Sequence, residues 1–200
     1  MVDNDLKERV QQKRFDSLAA KHLHVRRMHR LNRFNRTIDF LALAVPIVYF
    51  ALRYTAKGTS HEHWVEPVWE VLAGILLAMI VFKLAFHWEE RAQKHSGLLA
   101  ENIGVVRQAE GLLVAPHISP ESAALFLVLA DRSEKEDRDL LGQPRAKDRQ
   151  FAYREALKES GGATAVCPLC ALSPWRVRRR RLWEFGQELC DVCGNALVKS

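Results

Sequence analysis

Residues 68–88 read VWEVLAGILLAMIVFKLAFHW, and the stretch from Val71 to Phe82 carries no charge. A bilayer-spanning helix needs about 20 mostly apolar residues, so this block has the length and character of a span, with Glu70 and Lys83 toward its ends. A second apolar block precedes it: residues 38–54 read IDFLALAVPIVYFALRY, interrupted only by Asp39, Pro46 and Arg53. Membrane helices tolerate a proline such as Pro46. Folded as an antiparallel hairpin, the two blocks place Asp39 and Lys83 at similar depth near one face, and Arg53 and Glu70 near the other. That arrangement gives each charge a partner, which matters because a lone charge at a bilayer centre costs on the order of 3 kcal/mol. The competing reading is a pair of buried helices in a soluble bundle.

The flanks argue for the span and set its direction. Lys21, Arg26, Arg27, Arg30, Arg33 and Arg36 precede the first block, whereas the connector TAKGTSHEHWVEP holds only Lys57. Basic residues stay on the cytoplasmic side, so both termini are expected inside and the connector outside. Trp64, Trp69 and Trp88, with Tyr49 and Tyr54, suit interfacial anchoring. Within the second block Gly74 and Ala78 form a small-xxx-small pair, which lets another helix approach closely, either inside the hairpin or from a second protomer. The acidic start, with Asp3, Asp5 and Glu8, does not read as a cleaved secretion signal.

Residues 1–37 hold ten Lys/Arg against four acids and lack Pro and Gly, which predicts a basic amphipathic helix, able to lie on anionic lipid or to pack on another helix. After Trp88, Leu99, Ile103, Val106 and Leu113 fall on one stripe, so one long helix is expected to carry the second span into the cytoplasm. Pro116 and Ser119-Pro120 end it and start the next helix, which runs to Gly142; a last helix closes at Gly161-Gly162. The eight histidines are scattered, and only His61 with His63, or His22 with His24, even resemble a ligand pair. They are expected at surfaces or interfaces. No Ser/His/Asp constellation, Gly-rich phosphate loop or carboxylate cluster stands out, so a non-catalytic protein is expected.

The C-terminal part reads CPLCALSPWRVRRRRLWEFGQELCDVCGN, placing Cys167 and Cys170 before a spacer of nineteen residues, then Cys190 and Cys193. Two C-x-x-C turns complete a tetrahedral four-sulfur site, which suits one structural zinc ion and leaves no open position for catalysis. A redox dithiol at each pair, or a rubredoxin-type iron site, are the alternatives. Trp175, Leu182, Trp183 and Phe185 offer a minimal apolar core for such a module. Between the pairs lie Arg176, Arg178, Arg179, Arg180 and Arg181. Part of this charge balances four thiolates around a dication; the remainder suits nucleic-acid phosphate, a nucleotide or the anionic inner leaflet, or is a solvated basic hairpin.

Three stretches, RFNRTIDFLALAVPIVYFAL, VWEVLAGILLAMIVF and WEERAQKHSGLLAENI, together with the later RQFAYREALKE, give residues 1 to about 160 a resemblance to the SLATT group of bacterial membrane proteins. That group combines a basic N-terminal helix, two membrane helices and a long cytoplasmic helix. The resemblance implies a pore-forming or membrane-disrupting effector in a bacterial conflict system, encoded beside nucleotide-signal enzymes or sensors. The C-terminal portion is similar to mobile-element-encoded proteins with paired C-x-x-C knuckles, whose spacer is shorter than the nineteen residues here.

The expectation is thus a mainly α chain: a SLATT-like membrane domain over 1–160, with a basic helix (1–37), spans at 38–54 and 68–88 and cytoplasmic helices (89–160), and a zinc-ribbon-like module over 163–200. It is expected in the bacterial inner membrane as a homo-oligomer in contact with lipid, with a sensor or nucleotide-signal partner. The leading functional reading is a permeabilising effector. The other is a membrane-tethered module that captures nucleic acid or a ligand through its arginines.

Overall fold

The computed structural model describes residues 2–57, 62–175 and 189–196. The chain is mainly helical: α1 (Val2–Ala56), α2 (Glu62–Ala85), α3 (Trp88–Val114), α4 (Pro120–Leu141) and α5 (Ala146–Gly161), followed by a short 3-10 turn at Gly162–Thr164. It divides into two compact units, one formed by Met1–Arg26 with His95–Ser200, the other by Arg27–Lys94. These lines differ from the 1–160 and 163–200 segments, because the start of α1 and the cysteine turns share one core, in which Phe15 packs on Leu157, Cys167, Cys190 and Cys193.

The first unit is a helical bundle built on seven-residue repeats. Val10, Ser17 and His24 of α1 are buried, as are His95, Asn102 and Ala109 of α3, and Ala123, Ala130 and Asp137 of α4. Each set recurs every seventh residue, the period that keeps one stripe turned inward. Val10 clusters with Val105, Ala109, Phe126 and Ala130, while Leu18, Ala19 and Leu23 cluster with Val106, Leu141, Ala152 and Ala156. Residue 10 thus lies by residue 109 and residue 24 by residue 95, so α3 runs antiparallel to α1.

The first half of α1 is therefore a packed helix, and acids from its neighbours answer its cations. Lys13 Nζ lies 2.6 Å from both Asp131 and Glu134, Arg14 Nη2 2.7 Å from Glu110, and Arg26 Nε 3.6 Å from Asp148. Lys21 pairs with Glu159. Pro120 opens α4 at its first turn, with Ser119 extended at the N-cap but making no side-chain cap bond. Gly142 closes α4 at φ 59°, its N–H bonded to the Arg138 carbonyl. That left-handed conformation is one glycine adopts freely.

In the second unit the remainder of α1 and α2 form an antiparallel hairpin, and two helices are long and apolar enough to cross a membrane. Tyr49 stacks on Trp69 with ring centroids 4.2 Å apart, and Phe34 meets Trp88 at 5.9 Å. Large apolar side chains face outward on both helices: Phe40, Leu43, Ile47, Val71, Leu77 and Phe82 are all exposed. The connector is shorter than its sequence suggests, since Thr55 and Ala56 still belong to α1 and α2 already begins at Glu62.

One expectation fails here for a definable reason. The second apolar block does not continue into one long helix, because the chain turns at Phe86 and His87, where His87 has φ 48°. The Phe86 N–H still bonds back to Phe82 and that of His87 to Leu84, while Arg91 N–H bonds to the His87 carbonyl and starts a new ladder. Lys83 in the last turn of α2 and Glu89 in the first turn of α3 each suit the local helix dipole and pair at 2.8 Å.

Candidate metal centre

Four sulfurs converge at the end of the bundle. The Sγ atoms of Cys167, Cys170, Cys190 and Cys193 all lie within 4.8 Å of one another, with Cys167 to Cys190 at 3.7 Å and Cys170 to Cys193 at 3.4 Å. Sulfurs at tetrahedral corners about 2.3 Å from a zinc ion stand about 3.8 Å apart, so the cluster matches a four-thiolate site with little adjustment. All four are free cysteines, three of them buried.

Two turns of the same construction aim these sulfurs. In the first, Cys167 N–H bonds to the Leu172 carbonyl and Ala171 N–H to the Cys167 carbonyl, both at 2.9 Å. In the second, Cys190 N–H bonds to Asn195 at 2.9 Å and Gly194 N–H to Cys190 at 2.8 Å. The residue after each second cysteine must adopt positive φ to close this loop, 54° at Ala171 and 72° at Gly194. Glycine does so freely, whereas alanine pays roughly 1–2 kcal/mol. An antiparallel bridge between Leu189 and Ala196 closes the second turn from outside.

Burial and backbone donors act on these thiols in opposite directions. Burial pushes up the thiols of Cys170 and Cys193, although backbone N–H groups of Leu172 and Asn195 respectively point at them and oppose that rise. At Cys190 burial acts the same way but is outweighed by hydrogen bonds from the Cys193 and Val192 amides, and the thiol lies below its ordinary value. Asn195, wholly buried, adds an amide donor 3.3 Å from Cys193 Sγ and another bond to the Ser173 carbonyl. Such N–H donors spread the charge of thiolates already neutralised in part by a dication. The donor set and spacing fit one structural zinc ion.

The centre is fixed to the bundle. Its cysteines pack on Leu157, a Cβ on Gly194 would meet Gln150 of α5 at 3.2 Å, and Trp175 Nε1 donates to the Gly162 carbonyl at 2.8 Å. Lys158 lies over the Trp175 ring at 5.3 Å. The other expected core residues of the module, Leu182, Trp183 and Phe185, fall outside the described residues, as do Arg176, Arg178, Arg179, Arg180 and Arg181.

The remaining expected sites lie in the hairpin. Lys83 Nζ sits 2.7 Å from Asp39 and 2.8 Å from Glu89. Arg53 and Glu70 are not brought together; Arg53 instead lies 3.7 Å from Glu66 and donates to the Tyr49 hydroxyl at 3.0 Å. The register explains this, since stacking Tyr49 on Trp69 leaves Arg53, one turn further on, level with Glu66. Gly74 and Ala78 do not line the seam of the hairpin: both are exposed, and a Cβ at Gly74 would meet nothing within 4 Å.

The structure also corrects the expectation for two histidines. His24 and His95 are buried in the bundle, their Nδ1 atoms 2.8 Å apart, and His24 Nε2 lies 2.7 Å from Asp137. Asn102 donates to both Asp137 oxygens at 3.0 and 2.9 Å and to the Leu98 carbonyl. With His24 Nε2–H facing the carboxylate, the two Nδ1 atoms share a single proton between them. The sequence did hold a signal, the heptad stripe on which His24 follows Val10 and Ser17.

Residues 7–196 match a family described as Mobilome CxxCx(11)CxxC protein. No curated protein and no solved structure matches the chain.

Proposed function

The chain belongs to the Mobilome CxxCx(11)CxxC protein family, and on that premise we propose that it is a membrane effector whose hairpins oligomerise and permeabilise the bacterial inner membrane. In this reading both termini face the cytoplasm, and the zinc centre stabilises a bundle that receives a sensor or nucleotide-signal partner. The observation that carries it is the outward display of apolar side chains along α1 and α2, from Phe40 to Phe50 and from Val71 to Phe82. In water that surface would be a severe aggregation liability; in lipid it is the ordinary exterior of a span. Support also comes from the resemblance of residues 1–160 to the SLATT group and from the open face at Gly74 and Ala78, where a second hairpin can approach closely.

The test is expression in bacteria with a membrane-potential dye. Depolarisation and growth arrest are expected from the full chain, and Gly74→Leu with Ala78→Leu should suppress both while the protein stays in the membrane fraction. A chain that accumulates in the membrane but leaves potential and growth untouched, with its genomic neighbours co-expressed, would overturn the effector step.

A second reading rests on the spacer between the cysteine pairs, nineteen residues against the eleven of the family description and carrying five arginines. Here the hairpin is an anchor and the spacer captures nucleic acid. Detergent-solubilised full chain would then bind oligonucleotide with a steep salt dependence that Arg178→Gln/Arg179→Gln/Arg180→Gln/Arg181→Gln abolishes.

A further inference from the structure

The cations of α1 between Lys13 and Arg36 fall into two groups. Lys13, Arg14, Lys21 and Arg26, in the bundle, each face a carboxylate of α3, α4 or α5. Arg27, Arg30, Arg33 and Arg36, in the hairpin unit, have no carboxylate within ion-pair reach among the described residues. The sequence withholds one locally, since no acid occurs between Asp16 and Asp39. The acids at this end of the hairpin are already engaged: Asp39 and Glu89 by Lys83, and Glu90 by Lys94. Arg91 on α3, in the same unit, is likewise exposed and without such a partner.

Height along the helices locates these groups. The contact between Phe34 and Trp88 makes residues 34 and 88 level, so Arg30 and Arg91 each lie about one turn beyond that aromatic pair, on the side away from the apolar blocks. Taking Ile38 as the start of the apolar block, a rise of 1.5 Å per residue puts Arg36 about 3 Å, Arg33 about 8 Å and Arg30 about 12 Å below it. The headgroup layer on each side of a bilayer is about 5–7 Å thick, so Arg36 and Arg33 sit in or at the edge of it, and the longer reach of Arg30 and Arg91 returns to it. On the other side of the same ring, Phe40, Leu43, Leu84 and Phe86 are exposed.

We propose that Arg30, Arg33, Arg36 and Arg91 form a collar that binds the phosphate of anionic glycerophospholipid, with the acyl chains lying on the exposed apolar residues beside it. The proposal rests on the membrane reading above and adds the headgroup chemistry. A guanidinium offers a planar fork of donors that matches phosphate oxygens, and the adjoining apolar surface explains why the ligand is a lipid rather than a free anion.

The test uses full-length protein in neutral detergent, stripped of lipid and titrated with short-chain phosphatidylglycerol, short-chain phosphatidylcholine, inorganic phosphate or a single-stranded oligonucleotide. Bound lipid is counted by native mass spectrometry and thermal stability followed by tryptophan fluorescence. Phosphatidylglycerol should bind at least tenfold more tightly than phosphatidylcholine, and each Arg→Gln change in the collar should weaken it about fivefold. Arg→Lys at the same position should weaken it less. A triple variant at Arg145, Lys147 and Arg149, equally exposed cations of the bundle, should leave it unchanged, and zinc content should be the same in every variant. Equal binding of both lipids, or a preference that survives in the fourfold collar variant, would overturn the proposal. So would phosphate or oligonucleotide binding the collar as tightly as phosphatidylglycerol. If instead the chain needs no detergent at all, the membrane reading falls, and that result is distinguishable from a lost lipid preference in a chain that still requires detergent.

Discussion

The bundle unit and the hairpin unit are both built of α-helix, but they distribute their side chains in opposite ways. In the bundle, Leu18, Val10 and Phe126 are inside and the ion pairs outside, while the polar groups that do go inside, His24, Asn102 and Asp137, are bonded to one another. In the hairpin, Phe40, Leu43 and Leu77 face outward and the charged group withdrawn from the surroundings is Lys83, held between two carboxylates. The difference teaches that helix formation is indifferent to surroundings, because its backbone bonds are internal; the distribution of side chains records which solvent each unit was built for.

The sharpest way to break that contrast is to remove what only the bundle has. Chelation, or Cys190→Ser, should unravel the sulfur centre and loosen Leu157 and Phe15 with it, an effect on the order of 10 kcal/mol in small zinc modules. Hydrogen exchange should rise across residues 150–170 and stay unchanged in 71–85, with zinc falling from one equivalent to none. Exchange rising equally in both stretches would mean that the two units do not fold separately.

A smaller blow falls on the buried polar network. His24→Ala leaves Asp137 without its imidazole donor, and removing one partner of a buried hydrogen bond to a carboxylate costs about 2–3 kcal/mol. Thermal unfolding of the bundle should move down accordingly, whereas the hairpin should keep its protection. The counterpart in the hairpin is Lys83→Ala, which strands Asp39 close to the apolar block at a cost of about 1–3 kcal/mol. It should raise the aqueous fraction of expressed protein, and the double change with Asp39→Ala should restore the distribution.

At about 1 kcal/mol, the two cysteine turns test each other. Ala171→Gly relieves a left-handed alanine and should raise the unfolding midpoint; Gly194→Ala creates one and presses on Gln150, so it should lower the midpoint by more. The smallest effect concerns acid. A hydrogen bond from Lys13 holds the Glu134 carboxyl below its ordinary value of 4.5. Its contribution is therefore complete above pH 4.5 and is lost as pH falls through the lower folded value. Glu134→Gln should flatten that part of the bundle's acid unfolding curve.

How much of this was legible depended on sequence distance. The apolar blocks and the four cysteines are local patterns, and both survive translation into three dimensions. The break at His87 was invisible because no Pro or Gly marks it; the turn is held by the ion pair of Lys83 with Glu89 and by positive φ at an ordinary residue. The choice of Glu66 over Glu70 was a matter of hairpin register, which charge order along the chain does not fix. His24 and His95 lie 71 residues apart, and His24 and Asp137 lie 113 apart, so only the heptad repeat hinted that one interior receives all three. Docking of the cysteine turns on α5 left no trace in spacing at all.

Each cysteine turn closes its backbone hydrogen bonds within six consecutive residues, and the bond from Asn195 to the Ser173 carbonyl reaches only the near end of the chain that joins them. Stretching that joint from eleven residues to nineteen adds only about 0.5 kcal/mol of closure entropy. The metal thus works as a rivet whose hold does not depend on the exact length of the chain looping away from it.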